Sequence, residues 1–298
     1  MQTYRPSNEL GQCNFGESPQ NYSRPFRDAG SSPNQPCRKR EACGIMACMP
    51  SWNIHTAHVE RLLADCRAQE LGIADVNAFL FGNYVPDIYV GFMVPDVSVR
   101  IDYCITHWAA VNTIPIPDAD RFWDTYIYKR RPSSPTGVSL AVGAWAHLVA
   151  DRFYNGRFRL FRKTHETPEG EELRKQKQAD FDLFGHALGI SSAVEVTPEL
   201  LEAAMRFRGY SILEEDVTRS VRVADDIVRA SAEVPSNGDY QLLSAEWMAD
   251  TFEACNERLE LWLGSWRALE ASGTSASSSA IRADLGLPPA TPDEEHQL

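Results

Sequence analysis

Residues 140–155 have the sequence LAVGAWAHLVADRFYN, whose apolar residues surround a helix axis on every side rather than forming one stripe. A helix with this pattern is usually buried. His147 and Asp151 lie four residues apart in it, so a helix presents both on one face, one turn apart. A buried carboxylate must be paired, hydrogen-bonded or bound to a metal, because an isolated buried charge is too costly. The stretch therefore predicts a central helix that carries a polar site.

Gly143 lies one turn before His147 on the same predicted helix. A glycine inside a helix costs about 1 kcal/mol of stability relative to alanine. Close approach of another part of the molecule to this face would explain why the position is glycine, and we expect such an approach.

Composition limits the class of protein. The chain has 298 residues, 43% of them hydrophobic, which is enough for one sizeable core or two small ones. Its net charge of −12 argues against stable nucleic-acid binding, although metal ions can still hold a phosphodiester locally. No run approaches the length of a transmembrane helix, no secretory signal is present, and seven irregularly spaced cysteines are typical of reduced thiols. These features predict a cytoplasmic protein.

Three segments are predicted along the chain. Residues 1–48 are rich in Ser, Pro, Asn, Gln, Gly and Arg and are predicted to be disordered. Met49 is an alternative start of the native protein, since the apolar pattern begins there. Residues 49–270 form the predicted domain, and residues 271–298 a predicted disordered tail.

The domain is predicted to be all-α, a single-domain multi-helix bundle with a metal site between helices. Pro86 places Asp87 on a predicted loop, residues 88–104 are a short strand or irregular, and residues 157–170 are irregular. An a/d seam three heptads long predicts a last helix packed lengthwise in the bundle; it consists of Met248, Phe252, Cys255, Leu259, Trp262, Trp266 and Leu269. The other predicted helices cover residues 54–70, 74–81, 119–129, 171–188, 197–207 and 212–232.

Four histidines and two aspartates are the candidates for chemistry. Taken singly, each histidine is more often a satisfied core or surface residue than a ligand, and Asp87 alone is a turn former. Together they are the imidazole and carboxylate ligands that Zn²⁺ selects. Two such ions, about 3.5–4 Å apart, clamp a phosphate and generate hydroxide near neutral pH. The candidates are His55, His58, Asp87, His107, His147 and Asp151.

The order of four short motifs resembles a known family. W-N-I-H is followed by F-L-F-G-x-x-x-P-D, then by T-H, then by L-A-V-G-A-W-A-H-L-V-A-D. This order over residues 49–182 resembles the zinc-dependent phospholipase C family, which shares its fold with the S1/P1 nucleases. The resemblance implies an all-α fold and zinc ions that hydrolyse phosphodiesters.

The resemblance also implies roles for individual residues. His55 would match the early histidine ligand, with His58 as a rival, and His107 the mid-chain histidine. Asp87 would be a ligand and the general base. His147 and Asp151 would be the helix pair, with the aspartate bridging two ions. Asp180 would match a later acidic ligand, with Asp182 as a competitor.

Three positions depart from the family pattern. Trp52 is internal, so it cannot supply the N-terminal amino group that the secreted enzymes use. Arg157 and Gln176 stand where histidine ligands are expected. We therefore expect one or two zinc ions rather than three, and Arg157 as a substrate contact, since arginine binds phosphate bidentately.

Three functions are consistent with these residues. The first is a zinc-dependent hydrolase of a small phosphoester or phosphodiester. The second is a non-catalytic helical binding or scaffold protein that retains the fold, which Arg157 and Gln176 favour. The third, an HD-type phosphohydrolase, needs an adjacent His-Asp pair, and the chain contains none. The sequence leaves the substrate and the oligomeric state open.

Overall fold

A computed structural model describes residues 50–64, 67–210, 212–233 and 238–290. Within these ranges the structure is helical and contains no β-strand, so the predicted all-α class is confirmed. None of the described helices has the length and apolar character needed to cross a membrane. The helices are α1 (Trp52–Leu63), α2 (Val76–Gly82), α3 (Val85–Ile88), α4 (Tyr103–Thr106), α5 (Ala119–Phe122, continued by a π-helix, Trp123–Lys129), α6 (Pro135–Thr164), α7 (Gly170–Ala187), α8 (Pro198–Arg206), α9 (Glu214–Glu233), α10 (Ala245–Ala271) and α11 (Ser278–Asp284).

Helix α6 is the central element, and it is longer than predicted. It begins where the Ser134 hydroxyl accepts a hydrogen bond from the Gly137 amide at 3.0 Å. It continues through the segment predicted to be irregular, because the buried ring of Phe158 extends the apolar face and Arg159 hydrogen-bonds the Ile114 carbonyl. The prediction that residues 157–170 are irregular is therefore wrong as far as Thr164.

Helices α2 and α6 touch through their backbones at two glycines. A methyl group on Gly143 would lie 2.1 Å from the carbonyl oxygen of Phe79. A methyl group on Gly82 would lie 2.2 Å from the carbonyl oxygen of Leu140. The close approach predicted at Gly143 is confirmed, and it brings the end of α2 against the middle of α6.

Helix α10 buries the predicted seam. Every seam residue from Met248 to Trp266 is buried, and Leu269 at its end is half-buried. The ring of Trp262 lies 5.6 Å from that of Trp145 on α6 and 5.7 Å from that of Trp123, measured between centroids. The seam is therefore part of the core, as predicted.

The segment after α10 differs from the predicted disordered tail. Helix α11 lies within it, and Ile281 is completely buried. Trp123 donates a hydrogen bond from its indole nitrogen to the Ala276 carbonyl at 2.9 Å. The carboxylate of Asp124 accepts hydrogen bonds from the amide and hydroxyl of Ser278. Residues 271–290 are thus tied to the core, while the predictions for residues 1–48 and 291–298 lie outside the described residues.

Asp87 lies in a short helix rather than on a loop. Pro86 occupies the first turn of α3, where its missing N–H costs nothing and its fixed backbone angle favours a helix. The chain then passes through turns to α4, so the short strand considered for residues 88–104 is absent from this part of the structure.

Candidate metal centre

Five side chains from α1, α3, α6 and the residue directly after α4 meet in the core beside α6. Each is at most 1% exposed. Their donor atoms form two overlapping groups, each with all atoms within 4.8 Å of one another: His55, Asp87 and His147, and His107, His147 and Asp151. The structure therefore brings together five of the residues singled out in the sequence.

The two carboxylates lie between the three imidazoles. Asp151 places Oδ1 3.4 Å from His55 Nε2, and Oδ2 3.4 Å from His107 Nε2. Asp87 Oδ1 is 3.5 Å from His107 Nε2 and 3.8 Å from His147 Nε2. All these nitrogens are Nε2 atoms, so each imidazole directs the same atom toward the cluster.

A main-chain carbonyl defines the tautomer of one of these histidines, His147. His147 Nδ1 lies 2.7 Å from the Asn83 carbonyl oxygen, and His107 Nδ1 lies 3.2 Å from that of Tyr103. A carbonyl oxygen only accepts, so His147 Nδ1 carries the hydrogen and His147 Nε2 presents a lone pair. His107 Nδ1 also lies 2.8 Å from the Thr106 hydroxyl, which can donate or accept. The two Nε2 atoms are 3.1 Å apart. The His147 Nε2 lone pair can accept a hydrogen bond from His107 Nε2 or bind a cation.

Several buried polar atoms of the cluster have no hydrogen-bond partner. They are Nε2 of His55, Oδ1 of Asp87 and Oδ1 of Asp151, which face the cluster, and Nδ1 of His55. A buried polar atom without a partner costs about 1–3 kcal/mol, and more when it is charged. Atoms of this kind, aimed at one another, are what metal coordination would satisfy.

Two further side chains orient the carboxylates. Trp52 donates a hydrogen bond from its indole nitrogen to Asp87 Oδ2 at 3.0 Å. The Tyr103 hydroxyl donates to Asp151 Oδ2 at 2.8 Å. Such outer contacts fix the direction of metal ligands. Sequence reasoning missed Tyr103 and considered Trp52 only for its amino group, because neither contact leaves a local spacing signal.

Burial controls the protonation of the cluster. It lowers the pKa of His107 to about 4 and that of His147 to about 3, and it lowers the pKa of His55 well below its usual value. Burial raises the pKa of Asp87 to about 7, against the attraction of His147. The imidazoles are therefore neutral at pH 7. One divalent cation would balance the two carboxylates when both are ionised.

His58 lies one turn after His55 on α1 but outside both donor groups. Its Nδ1 lies 2.9 Å from the Asn256 side-chain oxygen, and its ring stacks on Phe252 at 4.4 Å between centroids. These contacts with α10 give His58 a packing environment of its own, and the geometry favours His55 as the ligand on α1.

Asp180 and Arg157 also lie outside the two donor groups. Both carboxylate oxygens of Asp180 accept hydrogen bonds from the backbone amides of residues 241–243, at 2.7–2.8 Å. Asp180 therefore holds the segment before α10. The Arg157 guanidinium lies over the ring of Trp247, 5.7 Å from its centroid.

Replacing Tyr103 by phenylalanine is expected to lower metal affinity by about 10- to 100-fold, since Asp151 loses the hydrogen bond that orients it. The affinity is measured by competition with a chelator of known strength. Tyr154→Phe is the matched control, because Tyr154 is equally buried but its hydroxyl has no hydrogen-bond partner. Equal losses in the two variants would contradict an orienting role for Tyr103.

The donor set fits a transition-metal ion. Neutral imidazoles and carboxylates are ligands that zinc and similar ions select, and the main-chain hydrogen bond on His147 Nδ1 is the usual support for such a histidine. The buried His and Asp groups can therefore bind a metal ion. The chain matches no known family model, no curated protein and no solved structure.

Proposed function

We propose that the protein is a zinc-dependent hydrolase of a small phosphoester or phosphodiester. Its ligands would be His55, Asp87, His107, His147 and Asp151, holding one or two ions. The observation that carries the proposal is the donor set of three imidazoles and two carboxylates, with no thiolate in either group. Structural zinc sites are mostly built with cysteine, whereas hydrolytic sites use histidine and carboxylates. The motif order that resembles the zinc-dependent phospholipase C family supports the same proposal.

The residues of the cluster have different proposed roles in hydrolysis. A bound zinc ion supplies Lewis acidity and lowers the pKa of a bound water to about 7. Asp151 directs one oxygen toward His55 and the other toward His107, so it would be a ligand on both sides of the cluster. Asp87 has one oxygen fixed by Trp52, while its Oδ1 has no hydrogen-bond partner. Asp87 is therefore proposed both as a ligand, through Oδ1, and as the proton acceptor, through its other oxygen.

A second candidate is a non-catalytic protein in which the metal joins α1, α3, α4 and α6. The nearly complete burial of all five side chains favours it, because structural metal sites are closed and catalytic ones keep an open position. Ile105 on the outer side of α4 is 66% exposed, whereas His107 is completely buried. Helix α4 thus covers one side of the cluster, and a substrate entering there would have to displace it.

Turnover of bis(p-nitrophenyl) phosphate or p-nitrophenyl phosphate is the expected result for the hydrolase. Chelation should remove the activity, and added zinc should restore it. Asp87→Asn is expected to lower kcat by about 100-fold or more, the range typical of a lost general base. Asp250→Asn, at an exposed position on α10, is the control and should leave kcat unchanged.

The outcomes separate the two candidates. Bound metal without turnover of either ester class would support the non-catalytic protein. Protein purified without added ions that contains no transition metal would overturn both.

A further inference from the structure

A second polar site lies at the N-terminal end of α6, away from the metal centre in its middle. A cavity of about 790 Å³ opens between the start of α6, the chain that precedes it and the end of α8. Five cationic side chains line it: Lys129, Arg130, Arg131, Arg206 and Arg208. Among the described residues that line it, two are acidic, Glu199 and Glu202, so this part of the lining has a net charge of +3.

This charge is unusual for a chain whose net charge is −12. Two of the five cations are neutralised, since Arg131 pairs with Glu270 and Arg206 pairs with Glu202. Lys129, Arg130 and Arg208 make no ion pair with any residue that the structure describes. Like charges held together repel one another, and a bound anion would remove this repulsion.

The volume of the cavity and the residues that line its wall indicate what kind of anion fits. Small-molecule sites usually measure about 300–1,000 Å³, so this cavity has room for more than an inorganic phosphate. The buried rings of Tyr126 and Phe207 form part of its wall, 5.6 Å apart between centroids. The hydroxyls of Ser133 and Thr136 lie in the same wall and offer further hydrogen bonds.

We infer that this cavity binds a small organic phosphate, with the phosphate held by Arg130, Arg208 and Lys129 and the organic part occupying the remaining volume of the cavity. Guanidinium groups match phosphate oxygens in charge and geometry. Gly137 in the cavity wall precedes His147 by ten residues, about 15 Å along a helix. The site is therefore separate from the metal centre and does not rest on the proposed function.

Adenosine monophosphate is a suitable probe, because it joins a dianion to a planar group. Titration calorimetry in a buffer of low ionic strength is expected to give a Kd below about 1 mM for the full-length protein. Adenosine and inorganic phosphate, which each lack one half of the probe, should bind at least about tenfold more weakly.

Two double variants test the location of the site. Arg130→Gln/Arg208→Gln should weaken binding of adenosine monophosphate by about tenfold or more, since it removes two charged contacts. Arg222→Gln/Lys175→Gln removes the same charge at exposed positions on α9 and α7 and should leave the affinity unchanged. Bound metal and Tm, measured on the same samples, should be the same in both variants.

Equal affinities of the two double variants for adenosine monophosphate would overturn the inference. So would the lack of binding at roughly 5 mM probe, or adenosine or inorganic phosphate binding as tightly as the nucleotide. Adenosine monophosphate is also a small phosphoester of the class proposed for the hydrolase, so the comparison of the two double variants, which both keep the metal ligands, distinguishes failure here from failure of the proposed hydrolase.

Discussion

Replacing His147 and Asp151 together by alanine is expected to abolish metal binding. His147 belongs to both donor groups, and Asp151 faces His55 with one oxygen and His107 with the other. No group of three donors survives the double change. Metal analysis of protein purified without added ions should give one or two zinc ions per wild-type chain and fewer than about 0.1 in the variant.

Metal loss should also appear as lost stability. A ligand that binds only the native state stabilises it by about 4 kcal/mol when its free concentration is 1,000 times Kd. Chelation should therefore lower the Tm of the wild type and leave that of the His147→Ala/Asp151→Ala variant unchanged. His147→Asn/Asp151→Asn is a second variant of nearly native shape, which keeps the test open if the alanine variant does not fold.

A matched control exists on α7. Asp182 and His186 are the same pair of residue types at the same spacing on a helix, but they lie outside the cluster. Asp182→Ala/His186→Ala should retain the full metal content. Unchanged metal content in the His147/Asp151 variants would refute the proposed centre, whatever the control shows.

The helices were predictable where apolar residues recur at helical spacing without interruption, as they do along α10. The end of α6 was not, because Arg157 and Arg159 interrupt the apolar pattern while their partners, Trp247 and the Ile114 carbonyl, lie far away in sequence. Local spacing cannot show such partners. Helix α11 was missed for the same reason, since it packs around one apolar residue, Ile281, among serines and alanines.

The part of the metal centre that depends on residue type and on spacing along a helix was predictable. His147 and Asp151 share a helix face by their spacing alone, and the motif order added His55, Asp87 and His107. Asp180 had the right chemistry as well, but the structure satisfies it with backbone amides some sixty residues later. Only tertiary structure separates a carboxylate that holds a backbone segment from one that faces imidazoles.

Replacing Gly143 by alanine is expected to damage both the fold and the metal centre. The added methyl group would lie 2.1 Å from the Phe79 carbonyl oxygen, a backbone atom that cannot move unless α2 moves. Overpacking of this kind costs about 1–3 kcal/mol and sometimes more, which exceeds the gain of about 1 kcal/mol in helix propensity. Urea unfolding should therefore show a net loss of stability.

Movement of α2 would also carry Asn83 away from the metal centre. Asn83 follows directly after α2, and its carbonyl holds His147 Nδ1 at 2.7 Å. Loss of this contact frees the imidazole to turn, so zinc affinity should fall by about 10-fold or more. Titration of the variant against a competing chelator measures this effect separately from the free energy of unfolding.

Gly264→Ala is the matched control for the Gly143 variant. Gly264 lies on an exposed face of α10, and a methyl group there would meet no atom within 4 Å. It should stabilise the protein by up to about 1 kcal/mol and leave zinc affinity unchanged. If Gly143→Ala gained stability to the same degree, α2 and α6 could not touch at this point, and the support that α2 gives His147 would have to come from elsewhere.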